Sequence, residues 1–267
     1  MLVLFKPSPN SIIKTFIASR VYKAKPVEVR EGQTFFFEDS VDSEKLDYDS
    51  LYQQYKEEYG GIDFLEDEKL WEIMEDDIFW SSRFDALDRL QLIFSVLSQI
   101  EKNGTKAYLA QLSPESKEMK DRVRRVTGEY RRAKKFIAFV EDKPNMVFIG
   151  KASFEHKIID LVLRHYAKRY PGHSIAILDD QHAHICYKDE ILVEARKKFP
   201  EKPGRKDSSR YWSLLSDLKH MASRRDPDYQ GIAQPKNYWR WVADGAQAPG
   251  PAPRLTLDDF ASDKGYL

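Results

Sequence analysis

The chain has 267 residues, 43 basic and 43 acidic side chains, and no net charge. That balance excludes a simple polycation that coats nucleic acid by bulk charge, but not a basic face offset by an acidic one. Hydrophobic residues at 42% and aromatics at 13% suffice for a buried core, and the length fits one large domain or two small ones.

Leu2 and Leu4 alternate as a strand does, and Ser8-Pro9-Asn10-Ser11 carries the chemistry of a helix cap. A helix with Ile12, Ile13, Phe16 and Ile17 on one face is expected to follow and to end at Pro26. Val27 to Phe37 reads as extended, with a turn at Gly32. Asp63 to Leu112 is expected to be helical, on the stripes Leu70-Trp71-Met74-Ile78 and Leu87-Leu90-Ile93-Phe94-Leu97-Ile100, with a stop at Asn103-Gly104. Ser113-Pro114 opens a helix that runs toward Tyr130.

The period then changes. Phe136–Val140 and Met146–Ile149 form a hairpin, Ser153–Tyr170 an amphipathic helix, and Ile175–Leu178 and His184–Tyr187 two more strands. The resulting class is α+β. A helix-strand-strand-helix-strand-strand unit over 113–198, with a mainly antiparallel sheet, follows a largely helical region over 1–112. Residues 199–210 read as a linker, 211–244 as an aromatic and basic extension, and 245–267 as a flexible tail.

Charge is unevenly placed. Asp39 to Asp77 holds fifteen acidic and three basic residues; Lys117 to Lys135 holds nine basic and three acidic; Arg196 to Arg240 holds twelve and five. The basic constellation Arg122, Arg124, Arg125, Arg131, Arg132, Lys134 and Lys135 suits phosphate, whose oxygens match guanidinium forks, although cations at a helix end also favour its dipole. A second set, including Arg224, Lys236 and Arg240, lies among Trp212, Tyr238, Trp239 and Trp241. Rings that stack bases beside cations that hold the backbone suit single-stranded nucleic acid, although these aromatics also suit packing on the core.

One cysteine, Cys186, excludes an internal disulfide and a cysteine-rich zinc site, and a reducing, cytoplasmic setting is expected. No apolar run approaches the roughly 20 residues that span a bilayer, and Met1–Pro7 does not read as a signal peptide, so no membrane partner is expected. Glycine-rich phosphate loops, HExxH pairs and nucleophile elbows are missing, and no cofactor is expected. If 182–186 is extended, His182, His184 and Cys186 share one strand face; the pattern supplies no fourth zinc ligand, and no metal site is assigned. His156 and His165 read as independent surface residues.

Three blocks resemble the bacterial and archaeal family of probable DNA metabolism proteins. In the first, Glu129, Arg132, Lys134, Phe136 and Phe139 fit the family pattern, while Arg131, Lys135 and Ala138 depart from its His, Gly and second Arg. In the second, His165-Tyr166-Ala167-Lys168-Arg169-Tyr170 matches a helix end, and Ile177 and Asp179 fit a following strand where His182 replaces an Arg. The third is the most specific: Trp212, Arg224, Pro227, Gln230 and Pro235-Lys236-Asn237-Tyr238-Trp239.

The resemblance extends to about Asp244 and implies work in DNA metabolism. Family members occur beside a radical-SAM protein or are fused ahead of a uracil-DNA-glycosylase-type domain. No such domain is expected within the chain, so glycosylase or radical chemistry would belong to a partner; if the family's His and Arg are catalytic, the departures at Arg131, Ala138 and His182 imply a divergent or inactive member.

Three expectations result. The first is a nucleic-acid-binding accessory protein in DNA repair or modification, with a radical-SAM or base-excision partner. Arg124, Arg125, Arg131, Arg132 and Lys134, with Arg224, Lys236, Tyr238 and Trp239, would contact DNA, and the acidic 39–77 segment would dock the partner or shield the protein. The second is an enzyme on a nucleobase or nucleotide, using Glu129, His165, Asp179 and His182 as acids and bases gathered in one cleft. The third is a protein–protein adaptor.

Overall fold

The structure, a computed structural model, describes residues 1–29, 39–143, 146–187 and 190–196. The chain forms two compact units, Met1–Gly128 and one that begins at Glu129.

In the first unit, β1 (Leu2–Phe5) is the middle of a parallel three-stranded sheet, between β2 (Lys25–Glu28) and β3 (Ser40–Asp42). The helix α1 (Pro9–Val21) starts as its sequence predicts: Pro9 needs no N–H partner, and the Ser8 side chain accepts from the Ser11 amide. It ends at Val21, before the expected stop. Pro26 instead lies in β2, an edge strand, where a missing donor costs little.

Five more helices follow: α2 (Tyr48–Tyr59), α3 (Asp63–Glu66), α4 (Glu68–Ser82), α5 (Arg89–Asn103) and α6 (Thr105–Leu109). Gly104, at φ 78, ends α5 in a backbone conformation that glycine adopts without strain. Ile12, Phe16, Tyr55, Phe64, Met74, Ile78, Ile93 and Leu97 fill one core.

Much of the acidic 39–77 segment serves this fold. Asp42, Asp47 and Asp67 each accept amide hydrogens at a helix start. Asp63 accepts from the backbone and hydroxyl of Thr105, 42 residues away. Asp77 is 5% exposed and accepts from the Tyr108 hydroxyl at 2.9 Å and the Lys120 ammonium at 2.5 Å.

The long helix α7 (Pro114–Phe136) begins in the first unit, and its last turns belong to the second. It runs beyond Tyr130 because Arg131, Arg132, Ala133, Lys134 and Lys135 are good helix formers. Ile137 still donates to the Ala133 carbonyl, so Phe136 is helical and the expected strand starts late, at Phe139.

The second unit continues with β4 (Phe139–Asp142), β5 (Val147–Lys151), α8 (Ile159–Arg169), β6 (Ser174–Leu178), β7 (His182–Tyr187) and β8 (Glu190–Ala195). The sheet order is β4-β5-β6-β7-β8. All pairs are antiparallel except β5–β6, which the α8 crossover makes parallel. The sequence reading missed β8, whose Leu192 and Val193 are exposed on a strand that, among the described residues, pairs with β7 alone.

One sheet face packs Ile149, Ala176, Leu178 and Ala183 with Val147 and Ile185. Strand alternation gives the other face Ile175, Ile177, His184 and Cys186. Helix α8 packs on β6 and β7 and buries Val162, Leu163 and Tyr166. The mainly antiparallel α+β unit is therefore present. No helix among the described residues is long and apolar enough to cross a membrane.

Removing the Asp77 carboxylate strands a buried phenol and an ammonium that is 22% exposed. Asp77→Ala is expected to lower the unfolding free energy of the chain by about 3 kcal/mol, as for other broken buried pairs. Urea denaturation measures it; a loss within the ordinary surface range of about 0.5 kcal/mol contradicts the assignment.

Candidate functional site

The cleft of the second unit starts from a turn. Leu178 pairs with Ala183, and the Asp179 amide donates to the His182 carbonyl at 3.0 Å, closing the β6–β7 hairpin. Asp179 Oδ1 then accepts the amides of Gln181 at 2.7 Å and His182 at 2.6 Å, the local bonding that makes Asp a turn residue. Its Oδ2 is 2.9 Å from His184 Nε2, and His182 Nδ1 is 3.8 Å from Oδ1. Burial opposes the charge on Asp179, but the amides of His182 and Gln181 and the ring of His184 outweigh it and hold the carboxyl below its ordinary value.

Ser153, Phe154, His156 and Ile159 face this turn across a cleft of about 340 Å³. Ile159 opens α8; the first three come from the β5–α8 connection, which was expected to be the first part of a helix. Glu129, buried at 3% exposure near the end of α7, explains why it is not. Its carboxylate accepts the backbone N–H of Glu155 at 2.7 Å and of His156 at 3.1 Å, fixing the loop ahead of α8. Burial pushes the Glu129 carboxyl up to about 7; the charge of Glu155 adds to this, while the two amides and Arg132 oppose it.

The expected acid–base set is thus divided. Asp179 and His182 line the cleft. Glu129 acts on the loop through two backbone amides. His165 is not among the cleft's lining residues and is influenced by Lys134 and Arg169. Cys186 is fully buried and stands outside the group of metal-capable side chains, in which Asp179 joins His182 and His184. His156, read from sequence as an independent surface residue, borders the cleft with His184 and Ser153. The signal that could have found the group is Asp-x-x-His-x-His across a tight turn, which returns both imidazoles to the Asp.

A cationic cluster lies where α7 ends. The Tyr166 hydroxyl donates to the Lys134 carbonyl at 2.9 Å, joining α8 to the last turn of α7. The Lys134 ammonium sits 4.5 Å from the Tyr130 ring centre. Lys134 is held below its ordinary value by burial and then by Arg131 and Lys135. His165 is held down by burial and then by Lys134 and Arg169. Arg131, Lys135 and Arg169 are exposed.

The other expected phosphate contacts differ. Arg122 is buried against Asp88 and Glu118 and stacks on Phe84, a structural role. Arg124 and Arg125, in the first unit, are exposed and share Asp121 at 3.6 and 2.7 Å, pairs of little energetic weight. Arg132 is half-buried, and its charge acts on Glu129. Arg224, Lys236, Tyr238 and Trp239 lie outside the described residues.

A five-stranded α+β unit with a His-His-Asp cleft and a cationic helix end is the class these features define. The sequence profile of the family described as a domain of unknown function (DUF4130) matches residues 87–244, and the chain belongs to that family. No curated protein matches the chain.

Glu129 makes a pH prediction. The folded chain keeps its proton to about pH 7, whereas the unfolded chain loses it near 4.5. The unfolded state therefore binds fewer protons in that window, and this contribution to stability is full below 4.5 and lost as pH rises toward 7. The slope approaches ~1.4 kcal/mol per pH unit. Glu129→Gln should remove that slope in unfolding curves taken across the window, and parallel wild-type and variant profiles would contradict it.

Proposed function

We propose that this protein binds nucleic acid as an accessory in DNA metabolism, beside a radical-SAM or base-excision-type partner, and that phosphate is held at the end of α7 next to α8. The observation that carries this reading is the gathering of the cations Arg131, Lys134, Lys135 and Arg169 around His165 where the end of α7 meets α8. The charges that depress Lys134 and His165 are all positive. Like charges gathered at one place cost stability unless an anion offsets them, and the planar guanidinium forks of Arg131 and Arg169 suit phosphate oxygens. Tyr130 and Tyr170, beside Lys134 and Arg169, offer rings to an unpaired base.

The resemblance to DNA metabolism proteins adds support, since its first two blocks contain Lys134, His165 and Arg169. A second reading, an enzyme on a nucleobase or nucleotide, is favoured by the cleft that brings Asp179, His182 and His184 together.

Affinity for a short single-stranded DNA should fall with salt, with a log–log slope of about −0.7 per phosphate contacted. Exchanging Arg131 and Lys135 together for Glu should shallow that slope by roughly 1.4, the share of two phosphates. Both side chains are exposed, so the unfolding midpoint serves as the control. Unchanged affinity and slope in a folded double variant would overturn the reading.

A further inference from the structure

We infer that Asp179, His182 and His184 form a binding site for a divalent transition-metal ion of the zinc type at the cleft of the second unit.

One donor atom from each of the three residues lies within 4.8 Å of the others. Ligands about 2.0–2.1 Å from such an ion stand roughly 2.9–3.4 Å apart for octahedral to tetrahedral angles. His184 Nε2 and Asp179 Oδ2, at 2.9 Å, already have that spacing. His182 Nδ1 is 3.8 Å from the same carboxylate, and its side chain is 48% exposed, so a small rotation brings it in.

The carboxylate is organised for the role. Oδ1 is engaged by the amides of Gln181 and His182, which fixes the side chain and leaves Oδ2 for His184 or for an ion. Hydrogen bonds behind a ligating carboxylate are the usual means of orienting it. The hairpin supplies rigidity: Leu178–Ala183 and Ile177–His184 are adjacent rungs of the ladder, so the ligands rest on sheet and tight turn.

The donor set also indicates the kind of site. Two imidazoles and one carboxylate suit zinc or ferrous ions, whereas calcium and magnesium prefer oxygen ligands. Three protein ligands beside a cleft of about 340 Å³ leave room for water, each molecule taking about 30 Å³, or for a substrate group. Structural zinc sites are closed by four ligands; sites with three and an opening are reactive ones, where the ion acidifies a bound water or polarises an oxygen.

The inference does not rest on nucleic-acid binding and can fail or succeed independently. The test is calorimetric titration of the chelator-treated full chain with Zn2+, with Co2+ as a spectroscopic probe. The expected result is one tight site per chain and cobalt absorption from an imidazole-bound ion. His182→Ala and Asp179→Asn should each weaken that site by more than about 100-fold, since losing even an outer partner costs roughly 10–100-fold. His182 is exposed, and Asn at 179 can still accept the turn amides, so both variants should keep the fold; circular dichroism checks this. Cys186→Ser should leave binding unchanged, as the thiol is outside the group. Absence of a stoichiometric site, or a site that survives both ligand substitutions, overturns the inference and leaves a turn-closing Asp–His hydrogen bond.

Discussion

Glu129 places a carboxylate where it is almost inaccessible to water and gives it two backbone amides to hold. Burial of that charge is costly, which is why its proton is retained to about pH 7. The amides it accepts belong to Glu155 and His156. The near wall of the cleft therefore depends on a residue of the long helix 26 positions earlier in the chain. Without that tie the segment after β5 would be free to coil into the helix that its sequence otherwise favours, and Ser153 and His156 would stand differently toward the β6–β7 turn.

Asp179 does the corresponding work on the far wall. One of its oxygens closes the turn, and the other reaches His184. Both walls thus rely on carboxyl oxygens that accept backbone hydrogens, and at Asp179, which stays charged, those bonds are the stronger charge-assisted kind. The two acids differ in charge state. Glu129 is buried enough to be driven toward neutrality, whereas Asp179 is open enough for its hydrogen bonds to prevail.

The same logic sorts the rest of the charge. In the acidic 39–77 segment, Asp42, Asp47 and Asp67 start helices, while Asp63 and Asp77 hold distant residues. Among the cations, Arg122 is consumed by packing against Asp88, Glu118 and Phe84. Arg131 and Lys135 remain beside Lys134, and Lys134 and Arg169 beside His165, each cation opposing charge on its neighbour. A neutral chain can therefore still present a local positive potential, because its acids and bases are spent in different places.

Period and punctuation were enough to read the α+β class, α1, the stop at Gly104, the start at Pro114 and the strand–helix–strand order around α8. These are local choices, set by side-chain alternation, missing amide donors and the backbone freedom of glycine. The late start of α8, the helical state of Phe136 and the pairing of β8 were not legible. Each depends on a partner far along the chain or on which hydrogen bond wins at an element's end. The site divides in the same way. Composition showed that Asp179, His182 and His184 are chemically able residues. Only the folded hairpin decided that Asp179, not Cys186, meets the two imidazoles: Cys186 shares their strand face but lies fully buried farther along β7, opposite Ile175, while the turn returns the carboxylate to the histidines.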